Sequence, residues 1–230
     1  MDYQTEFLDP RPIFTTEELK HLHSLAKDFP CRKFLENRRN VEEFASSYAY
    51  VSAKIEGCRY SNLGAAILLK HGFTEKGKTL HDAMMLANLH RAFLKVLTSP
   101  SLQVATVLSE AFLCETHARA SNFVLREKAC GHVRQCEVRI ANSSYRPLSS
   151  AEALKSELQK LFSQALAIQD PFEAAVYVHC NLAYLHFFED CNKRVARLMQ
   201  SALLVANNLT PLFLQDSRIP DYWNTIPFSL

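Results

Sequence analysis

The scarcity of glycine is the feature that most constrains this chain. Only five glycines occur among 230 residues, at positions 57, 64, 72, 77 and 131. Glycine adopts positive φ angles freely, so tight hairpins and phosphate-binding loops usually contain it. A chain with so few glycines favours helices joined by ordinary loops. The spacing of these five also excludes a G-x-G-x-x-G dinucleotide-binding loop.

The charge and hydrophobicity of the chain are those of an ordinary globular protein. Lys and Arg number 26 against 24 Asp and Glu, which gives a net charge of +2 and no broad basic surface for nucleic acid or a membrane. A hydrophobic fraction of 48% with 22% charged residues excludes general disorder. Because no repeat, linker or low-complexity segment divides the chain, we predict a single domain over residues 1–230.

The N-terminus and the cysteines indicate a cytoplasmic protein. The first ten residues, MDYQTEFLDP, lack the apolar run of a Sec signal peptide. Seven cysteines without a Cys-x-x-Cys pair favour free thiols in a reducing compartment. Export as an effector, by a route that needs no Sec-like signal, stays open. A zinc site at Cys130, His132 and Cys136 would lack a fourth ligand of matching spacing, so it is not favoured.

Helix signals dominate the sequence. Thr15-x-x-Glu18 has the pattern of a capping box. An apolar stripe over 41–55 ends at Gly57, and Asp170-Pro171 marks the start of a helix that we expect to reach residue 185. Further helices are predicted over about 62–71, 81–98, 101–125 and 192–208, and from a Ser149 cap to about 166.

One segment has a different pattern. Residues 133–140, VRQCEVRI, alternate apolar and polar side chains, and the turn-forming residues 142–147 follow. This pattern predicts a short β-hairpin or extended flap. Since one hairpin cannot organise a sheet domain, the predicted fold class is all-α, a helical bundle with a short β-flap.

Residues 72–79, GFTEKGKT, match the P-loop pattern G-x-x-x-x-G-K-[ST]. A P-loop needs a buried strand before it and a parallel sheet around it. The residues before Gly72 predict a helix instead, and the chain offers no series of core strands. We therefore interpret the match as a turn between two helices.

The segment from His186 to Arg197, HFFEDCNKRVAR, gathers the residue types of a polyphosphate site between two predicted helices. A helix N-terminus presents free N–H groups and a positive dipole end to an anion. Arg194 and Arg197 lie three residues apart, so both can fork onto phosphate oxygens. Asp190 can hold Mg²⁺, and His186 can accept a proton near pH 7. Taken singly, each residue also fits a polar loop without chemistry.

This segment resembles the motif of the Fic (filamentation induced by cAMP) family, His-x-Phe-x-[Asp/Glu]-Gly-Asn-[Gly/Lys]-Arg-x-x-Arg. The matching residues are His186, Phe188, Asp190, Asn192, Lys193, Arg194 and Arg197. The motif's glycine is replaced by Cys191. The flap and the order of the helices also look like a Fic domain, so the resemblance implies a Fic-type bundle with a core over about 80–210.

The resemblance implies a protein adenylyltransferase, an enzyme that moves AMP from ATP to a target protein. His186 would deprotonate the target hydroxyl, which attacks the α-phosphate while pyrophosphate leaves. Asp190 would coordinate Mg²⁺, and Arg194 and Arg197 would bind the β- and γ-phosphates. The remaining nucleotide-binding positions lie in the turn that enters the last long helix: Cys191, Asn192 and Lys193.

The resemblance also implies how a target is held. The flap residues Val138, Arg139 and Ile140 would bind the target protein as an added strand by main-chain pairing. The acceptor would be a Ser, Thr or Tyr hydroxyl, and self-modification and a homo-oligomer stay open. Neither nucleic acid nor a membrane is expected as a partner.

A second motif lies near the N-terminus. Ser52-Ala-Lys-Ile-Glu56-Gly57 resembles the inhibitory motif [Ser/Thr]-x-x-x-Glu-[Gly/Asn] that accompanies many Fic domains, which places the chain in the class with an N-terminal inhibitory helix, here about 41–57. Glu56 would pair with Arg197 and compete with the γ-phosphate. A helix that simply ends at a glycine explains the same letters.

Two residues leave the reaction open. Cys191 carries a side chain where the motif has glycine, which costs about a kilocalorie or more if the turn needs a positive φ. Lys193 is also found in the more distantly similar death-on-curing toxins, which transfer the γ-phosphate. Those toxins lack the second arginine, so AMP transfer is favoured by the presence of Arg197. Phosphotransfer, removal of AMP by the same site and a non-catalytic helical binding module remain the alternatives.

Overall fold

A computed structural model describes residues 1–99, 102–140, 143–212 and 214–225, with the side chains of 223–225 excepted. Helices account for most of this part of the chain, and β-structure within it is confined to two isolated bridges, Asp2 with Arg146 and Pro30 with Leu209. The all-α fold class is therefore confirmed.

The α-helices follow one another along the chain as α1 (Thr16–Asp28), α2 (Cys31–Leu35), α3 (Arg38–Ile55), α4 (Asn62–His71), α5 (Leu80–Thr98), α6 (Val104–Val107), α7 (Glu110–Ser121), α8 (Ala151–Ala167), α9 (Pro171–Leu185), α10 (Asn192–Ala206) and α11 (Ile219–Thr225). Short 3₁₀ turns lie at Thr5–Leu8, Glu127–Ala129 and Asp216–Arg218. Most of the predicted helices are thus present, with ends close to those expected.

The helix N-termini show why short capping motifs in the sequence predicted where helices begin. The Thr15 hydroxyl accepts from the Glu18 N–H at 3.2 Å while the Glu18 carboxylate accepts from the Thr15 N–H, so the capping box is complete. The Asp170 carboxylate caps α9 by accepting from the N–H groups of Phe172 and Glu173, and Pro171 occupies the first turn. Each cap satisfies donors that the first turn leaves without a helical partner.

Two helix predictions need correction. The predicted helix over 101–125 is two helices, because the Ser109 side chain accepts from the Phe112 N–H and starts α7 anew after α6. A serine side chain competes with the helical backbone in this way. The cap of α8 is Ser150, which accepts from the Ala153 N–H, and not Ser149.

The predicted hairpin is absent from the described residues. Residues 133–140 form neither helix nor strand, with a bend at position 136, and position 142, where the turn was expected, lies outside the described residues. The segment is held by the neighbouring loop instead: the Arg134 N–H donates to the Phe187 carbonyl at 3.2 Å. The buried Arg134 guanidinium donates to the carbonyls of His186, Cys136 and Leu148. Alternation therefore identified a non-helical segment, but the strand pairing that it predicted is not found in the described residues.

Helix α10 forms the centre of the bundle and packs against α9, α5 and α7, while α3 packs against α5 on the outer side. Its inward side chains are at most 1% exposed: Val195, Ala196, Leu198, Met199 and Ala202. The N-terminus of α10 is thereby fixed inside the bundle, beside the end of α3. None of the helices in the described ranges is both long and apolar enough to cross a bilayer.

Residues 72–79 form the turn between α4 and α5. Gly72 ends α4 with a φ of 75°, and Thr79 caps α5 by accepting from the Asp82 N–H. The Lys78 ammonium donates to the Arg59 carbonyl at 2.5 Å. With helices on both sides of this turn, the P-loop alternative lacks the strand that it requires.

Candidate functional site

The loop of residues 186–191, here called the connecting loop, joins α9 to α10 and carries a left-handed residue at each end. His186 ends α9 with a φ of 52°, and Cys191 precedes α10 with a φ of 63°. The positive φ expected at the position of the motif's glycine is therefore present, with cysteine in it. A left-handed conformation costs a non-glycine residue about 1 kcal/mol or more.

The Asn192 side chain fastens the connecting loop. Its carbonyl oxygen accepts from the Phe188 N–H and its amide donates to the Phe188 carbonyl, both at 2.9 Å. Asn192 is 5% exposed and Phe188 is 1% exposed. The amide that the motif suggested for phosphate binding is thus engaged with the loop backbone, and Phe188 anchors the loop in the core.

His186 has the geometry of a neutral base. Its Nδ1 lies 3.0 Å from the Ala183 carbonyl, which can only accept, so Nδ1 carries the proton and Nε2 has the lone pair. Burial lowers the pKa of His186 below its usual 6.5, and the nearby positive charges of Arg134 and Lys193 act in the same direction. The imidazole is therefore unprotonated at neutral pH.

Asp190 projects from the connecting loop with 58% of its side chain exposed. Burial of the carboxylate would raise its pKa, but the charge of Arg194 and the Cys191 N–H outweigh it, so the pKa of Asp190 lies below its usual 3.8. One carboxylate oxygen accepts from the Cys191 N–H at 2.5 Å and the other lies 3.1 Å from Arg194 Nη2. The group is ionised at neutral pH.

No cluster of three or more His, Cys, Asp or Glu side chains within the described residues could hold a metal ion by itself. Mg²⁺ is commonly bound by one or two carboxylates together with phosphate oxygens and water. The exposed, ionised Asp190 carboxylate beside the α10 N-terminus fits that kind of site.

Arg194 lies in the first turn of α10 with only 4% of its side chain exposed. Nη2 donates to Asp190, whereas the buried Nε and Nη1 have no hydrogen-bond partner within the part of the chain that the structure describes. Buried charged donors are costly to leave unsatisfied. Two N–H groups beside a helix N-terminus are thus ready for an anionic ligand.

Arg197 lies one turn further along α10 and is surrounded by protein acceptors. Nε donates to the Ser52 hydroxyl at 2.9 Å, Nη2 donates to the Ser52 carbonyl at 3.2 Å, and Nη2 also donates to the Glu56 carboxylate at 2.7 Å. The pairing of Ser52 and Glu56 with Arg197 is therefore present in the geometry. The two motifs, 145 residues apart at Ser52 and Arg197, meet in one buried cluster.

Glu56 stands at the C-cap of α3, directly before Gly57, whose φ is 84°. Its second oxygen lies 4.0 Å from Arg194 Nε, and 16% of its side chain is exposed. Burial opposes ionisation of Glu56, but the charges of Arg197 and Arg194 outweigh it and lower the pKa below 4.5. We call Ser52, Glu56 and Arg197 the latch.

Tyr222 of α11 is a member of this cluster that no motif indicated. Its hydroxyl accepts from Arg197 Nη1 at 3.1 Å and lies 2.9 Å from Nε2 of the buried His179. Lys54 Nζ lies 2.7 Å from the Asp216 carboxylate, which joins the same C-terminal segment to α3. The C-terminal segment thus supports the latch from the far side.

Of the other predicted site residues, Lys193 lies beside this cluster and the flap residues lie apart from it. Lys193 is half-buried in the first turn of α10, and burial lowers its pKa. The flap residues line a separate cavity of about 620 Å³ with Tyr3 and residues 143–149. There, Arg139 is exposed and Val138 and Ile140 are half-buried.

Residues 107–204 match the model of the Fic/DOC family. The chain is 24% identical over 212 residues to "Protein adenylyltransferase fic-1" of Caenorhabditis elegans. It is 25% identical over 190 residues to "Protein adenylyltransferase Fic" of Nematostella vectensis. These alignments cover 90% and 81% of this chain but 41% and 43% of the relatives, so the chain spans about two fifths of their length.

Solved structures share the fold. "Fic-1" from C. elegans superposes with a TM-score of 0.76 at 21% identity, covering 91% of this chain and 62% of that one. A Fic domain containing signaling protein from Bacteroides thetaiotaomicron gives a TM-score of 0.70 at 19% identity, covering 90% of this chain and 80% of that one. The helical arrangement around α9 and α10 is therefore one that these proteins share.

Proposed function

We propose that the chain, whose residues 107–204 match the Fic/DOC family model, is a member of that family and a protein adenylyltransferase that moves AMP from ATP to a hydroxyl side chain of a target protein. The observation that carries the proposal is Arg194, whose buried Nε and Nη1 have no hydrogen-bond partner in the described residues, beside a neutral His186. A polyphosphate supplies the acceptors that these donors need.

The α10 N-terminus and Arg194 would together bind the phosphates of ATP. The first N–H groups of α10 and the positive end of its dipole favour negative charge. Asp190 would hold Mg²⁺ against the phosphate oxygens, and the ion when bound neutralises part of their charge. Asn192 would contribute by keeping the connecting loop in shape, and Cys191 and Lys193 by their places in the turn.

His186 would act as the general base. Its Nε2 would accept the proton of the target hydroxyl, whose oxygen forms a bond to the α-phosphorus while the bond from that phosphorus to the pyrophosphate oxygen breaks. AMP is then joined to the target and pyrophosphate leaves. Most of the rate would come from positioning and charge neutralisation, as in other reactions at phosphorus.

The latch would make the enzyme autoinhibited. The Glu56 carboxylate occupies Arg197 Nη2 at 2.7 Å, the donor that the γ-phosphate would otherwise use. Both groups are anions, so they compete for one guanidinium. ATP can take a productive pose only when Glu56 leaves, and the glycine that follows, with its φ of 84°, ends the helix at that point.

The flap would hold the target. Val138, Arg139 and Ile140 belong to a non-helical segment without strand pairing in the described residues, which leaves main-chain groups for an added strand. A target strand bound there would present a Ser, Thr or Tyr hydroxyl to His186. Self-modification and assembly of several copies are compatible with this arrangement.

Intact-protein mass spectrometry of the Glu56→Gly variant with ATP and Mg²⁺ tests the proposal, with the Glu56→Gly, His186→Ala double variant as the matched control. A gain of adenylate on the chain or on a lysate protein, absent from the control, is the expected result. A gain of phosphate would instead assign the death-on-curing reaction. No transfer from Glu56→Gly enzyme would leave a helical binding module as the function.

The removal of AMP by the same site needs a separate experiment. Wild-type chain added to a purified, adenylylated target would release AMP if Glu56 directs water to the modified side chain. The pairing of Glu56 with Arg197 in the closed latch favours inhibition as its primary role.

A further inference from the structure

His117 of α7 is a buried histidine next to the connecting loop. Its side chain is fully buried, and its ring stacks on Phe188 with 3.7 Å between centroids and 9° between planes. Aromatic side chains packed in this way contribute to the rigidity of a core. His117 therefore touches the loop at its central anchor.

Both ring nitrogens of His117 are bound to backbone groups. The Gly131 N–H donates to Nδ1 at 2.8 Å, and Nε2 lies 3.1 Å from the Asp190 carbonyl. An amide N–H can only donate and a carbonyl can only accept, so Nδ1 is unprotonated and Nε2 carries the hydrogen. Burial lowers the pKa of His117 to about 4, which keeps the ring in this neutral form.

The bond to Asp190 fixes the orientation of one peptide plane. In a trans peptide the C=O and the N–H point in opposite directions. Because the Asp190 carbonyl is tied to His117, the Cys191 N–H of the same peptide points away from His117, toward the Asp190 carboxylate. That N–H lies at the entrance to α10, where the phosphates would bind.

This peptide needs such support because Cys191 has a φ of 63°. A strained backbone conformation persists only when several surrounding contacts hold it in place. Phe188 and the Asp190 carbonyl are both held by His117, and Asn192 holds the backbone of Phe188 as well. The loop is thus fixed from the inside at both ends of its strained turn.

We propose that His117 is a positioning residue for the polyphosphate site: its ring holds the Asp190–Cys191 peptide, and with it the Asp190 carboxylate that accepts from the Cys191 N–H, at the entrance to α10 where the phosphates would bind. Through Gly131 it also joins the start of the flap segment to the connecting loop. The proposal rests on the proposed function, because it takes the phosphates of a nucleotide as the ligand.

Three variants of His117, each in the Glu56→Gly background where the latch is open, test the proposal. Gln can place an amide where Nε2 is and donate to the Asp190 carbonyl. Asn reaches only as far as Nδ1 and so keeps contact with Gly131 alone. Phe keeps the ring on Phe188 and loses both hydrogen bonds.

Calorimetric titration with ATP and Mg²⁺ measures binding, and transfer kinetics give KM and kcat. We expect Asn and Phe to weaken ATP binding about tenfold, since a lost hydrogen bond of this kind costs roughly 1 kcal/mol or slightly more. Gln should restore the affinity to within about threefold of the parent. The loss should appear in KM for ATP more than in KM for the target.

Equal ATP affinity for the Asn, Phe and parent proteins would overturn the proposal, and so would a folded Gln variant that binds no better than Asn. Thermal unfolding of all four proteins separates this from a general loss of structure. If Phe does not fold, the comparison of Gln with Asn decides. Because calorimetry reports binding without turnover, a failure of AMP transfer by the parent is distinguishable from a failure of the His117 effect.

Discussion

Arg194 and Arg197 differ in what the protein gives them, although they lie on the same helix and are nearly equally buried. Arg197 has acceptors on Nε, Nη1 and Nη2, contributed by Ser52, Tyr222 and Glu56. Arg194 has one hydrogen bond, to Asp190, and two buried nitrogens without a hydrogen-bond partner in the described residues. The protein therefore completes one arginine and leaves the other to a ligand.

The difference teaches where inhibition acts. Glu56 lies 2.7 Å from Arg197 but 4.0 Å from Arg194, so a shift of one carboxylate decides whether the second phosphate position is open. The hydrogen bond between Arg194 and Asp190 does not involve Glu56. Inhibition of this kind would alter the pose of ATP more than its initial attachment.

The largest expected effect comes from replacing the general base, which should impair the chemical step and leave the binding of ATP by the two arginines intact. In the Glu56→Gly background, His186→Ala should lower AMP transfer by at least about 100-fold, because a general base contributes a factor of this order. ATP affinity measured by calorimetry should change little, since His186 is not a phosphate ligand. A large loss of ATP affinity would contradict the role given to His186.

Replacing Glu56 should leave Arg197 with a guanidinium donor that has lost its acceptor, as Arg194 already has donors without one among the described residues. We expect Glu56→Gly to raise AMP transfer about tenfold or more while lowering the free energy of unfolding by about 3 kcal/mol, because a buried arginine loses its counter-ion. Transfer assays and chemical denaturation measure the two effects. The control is Glu43→Gly, which removes an exposed pair with Arg39 from the same helix. Equal activity of Glu56→Gly and wild type would refute the latch.

The pH dependence of stability gives a smaller, graded test. The folded-state pKa of Glu56 is lowered below 4.5, so its stabilisation is fully present above pH 4.5 and is lost as the pH falls through the folded-state value. The difference in unfolding free energy between wild type and Glu56→Gln should be constant from about pH 5 to 8 and shrink below that range. A difference that grows as the pH falls would show that the charge of Glu56 is not what stabilises the latch.

The smallest effect should come from Tyr222, the outer partner of Arg197. Tyr222→Phe removes one hydrogen bond to the guanidinium and should raise basal transfer about threefold, because Ser52 and Glu56 still hold Arg197. Tyr177→Phe is the control, since it removes a buried hydroxyl that donates to the Leu8 carbonyl, far from the latch. Equal transfer by both variants would show that Tyr222 does not support the latch.

The sequence was most informative where the relevant contacts are local. The Thr15 and Asp170 caps need partners within three residues, so their patterns were sufficient to place α1 and α9. The motif from His186 to Arg197 is also continuous, so its residues locate the candidate site without any knowledge of distant contacts. The place of glycine in that motif marked position 191 as one where a positive φ would strain the backbone, and Cys191 has a φ of 63°.

The supporting residues could not be found in that way because their contacts are distant in sequence. His117 and Asp190 are 73 residues apart, and Arg134 and His186 are 52 apart. Asn192 appeared as a phosphate ligand, but its partner is the backbone of Phe188, which a motif does not specify. Likewise, alternation over 133–140 could not reveal that Arg134 binds the connecting loop instead of a second strand.

The cysteine in the left-handed turn also offers a way to measure motion at the site. The Cys191 thiol is 1% exposed, and burial raises its pKa to about 12, so it can be alkylated only during the moments when the turn opens. Its rate of alkylation therefore reports how often the connecting loop opens in the native protein. A bound nucleotide should make these openings rarer and so slow the alkylation of Cys191. The alkylation rate therefore measures occupancy of the site and needs neither a target protein nor catalysis.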